Sequence, residues 1–270
     1  MGRRADGAAR IRGGRGAGLR AVTTARAIGK SLRLYYAPGR APLLDGFHCR
    51  FLGPGELGFD IGAHVGDRTA SFRRLGARVV AVEPQPRLAR LLRLLFGRDP
   101  GVEWVAALVG AAAGETVLRL NSANPTVATA SPDFIAAANG APGWEGQHWD
   151  AELTLPVTTL DALAAAHGRP DFVKLDVEGF EAEALAGLSF TPRALSFEFT
   201  TIQRQVALYC LERLTALGYC AFNACLGESL RFVHAAPLSA GAMADWIMAL
   251  PAEANSGDVY ASLEPDRITP

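Results

Sequence analysis

Three short segments of this 270-residue chain hold the side chains able to do chemistry. The first is Phe59-Asp60-Ile61-Gly62-Ala63-His64-Val65-Gly66, which reads D-x-G-x-x-x-G. Glycines at such a turn let the backbone approach a ligand closely, and the helix that follows adds positive potential at its N-terminus. A dinucleotide-binding turn needs G-x-G-x-x-G, and His64 stands where that pattern wants its second glycine, which disfavours a dehydrogenase. Asp60, two residues before the first glycine, suits a cationic group better than a pyrophosphate. It would hold an ammonium directly or through water.

The second segment is VVAVEP, which ends on Glu83, 23 residues after Asp60. A carboxylate at a strand end can accept both hydroxyls of a ribose. A nucleoside that also carries an ammonium points to S-adenosylmethionine. The plainer alternative makes Asp60 a helix cap and Glu83 a surface charge.

The third segment is DFVKLDVEG, residues 171–179. A strand's period of two puts Lys174 and Asp176 on one side. Charges in an apolar strand are costly unless paired, and a Lys174–Asp176 contact lowers that cost. Asp176 and Glu178, near the carboxyl end, would face a ligand crevice. Glu181 opens the next helix, and Glu198 in ALSFEF adds an acid at the same rim. Asp176 is the first candidate for a general base acting on an acceptor hydroxyl and Glu178 the second, with Lys174 orienting Asp176 or holding it ionised. A divalent cation between Asp176 and Glu198 is a variant; the sequence offers no third ligand, and no metal is expected. A structural ion-pair cluster is the competing account.

These residues need strands that alternate with helices. Residues 57–61, 78–82 and 102–108 read as strands, with helices over 69–75 and 86–95 and Gly76 as a helix stop. Segments 116–120 and 153–157 alternate like strands. Between them, 121–152 is loop-like and holds Trp144, His148 and Trp149, either as a lid or substrate wall or as a loop pinned by its tryptophans. The alternation resumes with a helix over 160–166 capped by Thr159 or Asp161, a strand over 171–177, a helix over 181–188, a strand over 193–199 and a helix over 204–217. Segments 219–224 and 230–233, separated by Gly227, are expected to close the sheet as an antiparallel pair. This is an α/β pattern with a mostly parallel sheet and helices on both faces.

Composition is globular, 49% hydrophobic and 20% charged, and the net charge of zero hides an asymmetry. Residues 1–40 hold ten basic residues and one acidic; residues 41–270 hold seventeen and twenty-six. The expected organisation is a basic flexible tail and short helix over 1–40, then one domain over 41–270 with an insert at 121–152. The short helix, over 19–36, would carry Leu19, Val22, Ile28, Leu32 and Tyr35 near one side. The stretch 2–18 reads as a solvated tail, with an anionic partner as the alternative. Cys49, Cys210, Cys220 and Cys225 have no zinc spacing and are too few for a disulfide scaffold, which fits a reduced, cytoplasmic protein. No 18-residue apolar run suggests a membrane span.

Taken together, FDIGAHVGDRT, RVVAVEPQP, VAALVG, PVTTLDAL and DFVKLDVEGFEAEAL, in that order over about residues 54–199, resemble the FkbM family of S-adenosylmethionine-dependent methyltransferases. The resemblance implies a class I (Rossmann-like) methyltransferase fold with a mostly parallel seven-stranded sheet. It also implies O-methylation of a sugar, polyketide or other small metabolite. Carried over by position, Asp60, Gly62, Gly66 and Glu83 would contact S-adenosylmethionine, and Ala107 would lie near the adenine. Lys174, Asp176 and Glu178 match the family's K-x-D-x-E-G element. Where the family usually has Asn, this chain has His64; either can donate to the methionine carboxylate. Where it often has Asp after the third strand, this chain has Gly110-Ala111-Ala112-Ala113, which leaves the adenine to backbone groups or another side chain. The rival readings are a methyltransferase-like binding module without turnover and a nucleic-acid methyltransferase. Nucleic acid is not the expected partner, because an acidic body repels phosphates. The acceptor pocket is expected from 121–152 and C-terminal residues, including Trp246 and Tyr260.

Overall fold

The computed structural model describes residues 17–270; the expected tail lies outside the described residues apart from its last two. Ten strands follow in chain order: β1 (Leu57–Ile61), β2 (Arg78–Val82), β3 (Val102–Val105), β4 (Leu108–Val109), β5 (Gly114–Leu120), β6 (Ala151–Thr158), β7 (Phe172–Leu175), β8 (Ala194–Thr200), β9 (Ala221–Leu226) and β10 (Ser256–Ser262). The helices are α1 (Ala17–Tyr35), α2 (Arg40–His48), α3 (Asp67–Arg74), α4 (Pro86–Phe96), α5 (Pro132–Ala138), α6 (Leu160–His167), α7 (Glu181–Ala186), α8 (Arg204–Ala216) and α9 (Ala240–Ala249). Seven strands form one sheet in the order β3-β2-β1-β7-β8-β10-β9. All neighbours are parallel except at β10, which runs against both β8 and β9.

The central strands are apolar runs because helices cover both faces. On one face Phe59, Ile61, Val173, Leu175, Phe197 and Phe199 pack against residues of α6, α7 and α8. On the other, Phe51 stacks on Phe172 and Tyr260, with Phe47 and Phe72 beside them. Each fully buried aromatic contributes about 1.5–3 kcal/mol. This second face turns polar toward the carboxyl ends of the strands. By the period of two, Asp60, Lys174, Glu198 and Asp258 lie on it, and Asp60 is the register partner of Lys174. The chain order reverses between β1 and β7, and in an open α/β sheet such a reversal leaves a crevice at the strand ends.

Several segments differ from the sequence expectation. The strand expected over 102–108 is two strands: β3 ends at Val105, and β4 joins a second, three-stranded sheet in the order β4-β6-β5. Only Ala106 and Ala107 separate the two pieces, so period alone could not show the change of partner. Residues 230–233 form no strand. The partner of β9 is β10, whose start, Ser256-Gly257-Asp258, carries no strand-like alternation. In α1, Ala27 and Ser31 are buried, while Leu19 and Val22 point outward at 76% and 50% exposure. Within 121–152 lies α5, capped by Ser131, whose hydroxyl accepts from the Phe134 N–H at 3.1 Å. Trp144 is buried edge-on to Phe134, and Trp149 Nε1 donates to the Val127 carbonyl at 2.8 Å. Both contacts lie within the segment, which forms a small apolar core of its own with Ile202 of the body packed against it. All four cysteines are free, and no helix among the described residues is long and apolar enough to cross a membrane.

His48, at the end of α2, is buried with Nδ1 2.9 Å from Ser71 Oγ, and burial pushes its pKa down to about 3. The unfolded chain therefore binds a proton at His48 below about pH 6.5 that the folded chain refuses. Its contribution to stability is complete above that pH and falls by about 1.4 kcal/mol per unit as pH drops toward 3. Urea unfolding between pH 4.5 and 7 should show that slope, and His48→Gln should flatten it. An equal slope in the variant would assign the acid sensitivity to other groups.

Candidate active site

The turn after β1 is held against two strands at once. The Gly62 and Ala63 N–H groups donate to the Val82 carbonyl at 2.9 and 3.0 Å. Gly62 has φ 80°, and a Cβ on it would lie 1.7 Å from the Asp176 carbonyl oxygen. Glycine is therefore required where the turn meets the end of β7. Gly66 caps α3 at φ 80°, and its Cβ would strike Phe96 and Leu92 at 2.6 and 2.7 Å. Its role is helix packing, and it does not line the cavity. His64 has φ 48°, a left-handed conformation that Asn and His adopt more readily than most residues, which gives a backbone reason for His where the resemblance expects Asn. Burial lowers the His64 pKa to about 4, so the ring is neutral at pH 7, and its Nε2 is enclosed without a hydrogen-bond partner.

Asp60 and Glu83 are both buried, so neither is a surface charge. Thr69 Oγ1 of α3 donates to Asp60 Oδ2 at 2.5 Å, which ties the helix to the strand by a side chain rather than by a cap. Burial raises the Asp60 pKa, and the nearby Lys174 charge opposes the rise. Glu83 is 3% exposed and accepts the His64 N–H at 3.0 Å and the Gln85 N–H at 2.8 Å. Burial pushes its pKa up to about 8 against those two bonds.

Lys174 is buried and donates to Asp176 Oδ2. Burial disfavours the ammonium, but the Asp176, Asp258 and Asp60 carboxylates together outweigh it and hold Lys174 above its usual range. The same pairing holds Asp176 below the usual carboxylate range although burial pushes the other way. Glu178, at φ 55°, and Glu198 are both raised well above it, first by burial and then by the neighbouring Asp176 charge. Glu181 accepts the Val177 N–H at 2.9 Å, and burial raises its pKa to about 7.

One cavity joins most of these groups. Asp60, Gly62, His64, Glu83, Lys174, Asp176 and Glu178 line it. Ala107 does not; the adjacent Leu108 takes that place, because the chain has by then crossed into the second sheet. Pro125, Thr126 and Ala128 bring the 121–152 segment to the wall. Trp246 packs edge-on to Phe199, and Tyr260 lies in the aromatic core, so neither shapes the cavity.

The sequence reading missed Tyr35, Asp67, Arg68 and Glu228. Arg68 donates to Asp67 and to Glu228, both at 2.6 Å, and Arg40 also bonds Glu228. The Tyr35 ring meets His64 edge-on at 5.6 Å, with the Arg40 and Arg68 guanidiniums 5.4 and 5.7 Å from its centre. Asp67 and Arg68 directly follow Gly66 and were within reach of the motif. Tyr35 and Glu228 come from far along the chain and carry no local signal.

Residues 60–222 match the Methyltransferase FkbM domain. No curated protein matches the chain. Among solved structures, it is similar to a methyltransferase FkbM from Methylobacillus flagellatus, at 12% identity and a TM-score of 0.46, with 92% of this chain and 59% of that one covered. It therefore spans less than two thirds of that protein. It is also similar to a TehB-like SAM-dependent methyltransferase from Corynebacterium glutamicum, at 13% identity, a TM-score of 0.45 and coverage of 90% and 99%. An rRNA methylase from Streptococcus thermophilus follows at 13% identity, a TM-score of 0.40 and coverage of 81% and 92%.

The contact between Gly62 and the end of β7 can be isolated from backbone strain. Gly140 has φ 75° with nothing near its Cβ position, so Gly140→Ala should cost only about 1–2 kcal/mol for the left-handed residue. Gly62→Ala carries the same strain and must also displace the Asp176 carbonyl. Chemical denaturation should show a clearly larger loss for Gly62→Ala. Equal losses would mean that the turn can move off β7 freely.

Proposed function

The chain belongs to the FkbM methyltransferase family, and from that premise we propose that it methylates a hydroxyl group of a sugar, polyketide or other small metabolite. The cofactor, S-adenosylmethionine, supplies an electrophilic methyl group on a sulfonium. The residues of the cavity fit it. Glu83 retains acceptor capacity for ribose hydroxyls beyond its two backbone bonds. The enclosed, unpaired His64 Nε2 would donate to a carboxylate in the tautomer that carries its proton there. Asp60 adds a buried acid for an ammonium, and Leu108 and Leu118 give an apolar wall.

The observation that carries the hydroxyl reading is the opposite behaviour of two neighbouring acids. The Lys174 ammonium holds Asp176 toward the ionised form against burial, whereas burial and the Asp176 charge push Glu178 toward the neutral form. Groups driven apart in this way take different parts in proton transfer. Asp176 is therefore the group to accept the acceptor's proton, and Lys174 positions it. Asp60, Asp67, Glu83, Asp176, Glu178 and Glu228 line the cavity against Arg68 and Lys174 as the only cations among its described lining residues, which disfavours a phosphate-bearing acceptor such as RNA.

Calorimetry should show binding of S-adenosylmethionine and S-adenosylhomocysteine and none of NAD. Glu83→Ala should cost about 1–3 kcal/mol of that affinity, as when a bond to a charged group is lost. Methyl transfer to a panel of sugars and polyketides, with RNA alongside, tests the acceptor class; transfer to RNA alone would overturn it. With an acceptor in hand, Asp176→Asn should slow single turnover by about 10²- to 10⁴-fold and leave cofactor affinity nearly unchanged. If Asp176 only balances Lys174, the variant would instead lose about 3–5 kcal/mol of stability and keep its rate per folded molecule.

A further inference from the structure

The scheme above gives Glu178 and Glu198 no task, yet both converge on Asp176. One carboxylate oxygen from each of Asp176, Glu178 and Glu198 lies within 4.8 Å of the other two. Lys174 bonds only Asp176 of the three among the described residues. Glu178 is 9% exposed and lines the cavity. Its main-chain carbonyl accepts from Thr129 Oγ1 at 2.6 Å, but its carboxylate has no donor among the described residues. Glu198 Oε2 is fully enclosed and also lacks a partner. Buried carboxylates without donors are costly, and convergent ones more so. A hard cation with bonds of about 2.1 Å holds ligand oxygens about 3 Å apart when adjacent and about 4.2 Å when opposite, a span these three oxygens reach with at most small side-chain movements.

We propose that Asp176, Glu178 and Glu198 form a site for one hard divalent cation, magnesium or manganese in kind, open on its cavity side to the acceptor. Oxygen-only, carboxylate-rich ligand sets suit such ions, and three protein ligands leave coordination positions for water and a substrate hydroxyl. The site's role rests on the hydroxyl-methylation reading. An acceptor hydroxyl bound to the ion becomes more acidic. Its O–H bond breaks with both electrons left on oxygen, and the proton passes to the Asp176 carboxylate oxygen outside the ion's shell. The rival arrangement is a proton shared between Asp176 and Glu198, with no ion.

The experiment titrates the full-length protein with Mn²⁺ and follows free Mn²⁺ by electron paramagnetic resonance. One saturable site per chain is expected. The double variant Glu178→Gln/Glu198→Gln should weaken it by more than the roughly 10- to 100-fold that even an outer-shell change costs. Glu115→Gln, an exposed acid of β5, should leave it unchanged. Thermal melts on the same samples report folding, and Mn²⁺ should raise the melting temperature of the wild type but not of the double variant. If the double variant fails to fold, Glu178→Gln and Glu198→Gln are titrated singly against the same expectation. Absence of a saturable site in the wild type, or full retention in folded variants, overturns the proposal in favour of the shared proton. S-adenosylhomocysteine binding without metal is measured in parallel. Its failure beside intact Mn²⁺ binding would sink the functional reading and leave the ion site standing, and the reverse result would sink only the site.

Discussion

The polar end of this sheet depends on one buried ammonium. Lys174 sits inside β7, in register with Asp60 of β1 and bonded to Asp176 just beyond the strand. A lone charge in that position would cost several kcal/mol, and so would the acids around it. Together they reduce the cost, because each carboxylate that Lys174 faces is worth more in the low-dielectric interior than in water. Lys174 also divides the acids into kinds. Asp176, which it touches, stays ionised, while Glu178, Glu198 and Glu83, which it does not bond, are driven toward the neutral form by burial.

The backbone around that charge is strained where the groups converge. His64 and Glu178 have φ of 48° and 55°, and Gly62, Gly66 and Gly179 are also left-handed. Non-glycine residues in such conformations cost about 1–3 kcal/mol each and persist only where the surroundings over-determine them. The surroundings here are stiff. Gly62 rests on the Asp176 carbonyl, and a Cβ on Gly179 would strike Phe134 and Gln203. The Phe51–Phe172–Tyr260 stack fills the apolar half of the same sheet face. The strain and the packing that supports it thus share one face, the first toward the carboxyl ends of the strands and the second behind it.

The cavity draws its walls from segments of different kinds. The matched domain, residues 60–222, supplies the turn, Glu83 and the acids after β7. Tyr35 and Glu228 lie outside it and are locked together through Arg40 and Arg68. The segment folded around Phe134, Trp144 and Trp149 adds Pro125, Thr126 and Ala128. The groups assigned to cofactor and proton transfer therefore sit on the sheet, while part of the rim is tied on by ion pairs and aromatic contacts.

The sequence by itself determined what is local and periodic. Runs of buried strand, the glycines at turns, a helix cap at Thr159 or Asp161, which the structure gives to Thr159, and the pairing of Lys174 with Asp176 all follow from propensity and a period of two. So did the motif residues, since D-x-G-x-x-x-G, the strand-end Glu83 and K-x-D-x-E-G are each contiguous. Only the tertiary structure decided which strand β9 would join, because β10 shows no alternation of its own, and it moved β4 to a second sheet only two residues after β3, a change no local pattern reveals. It separated Gly66 and Ala107 from the cavity, since a side chain's direction depends on what packs beside it. It also brought in Tyr35 and Glu228. Their place at the site is set by contacts across as many as 188 residues, which no local pattern encodes.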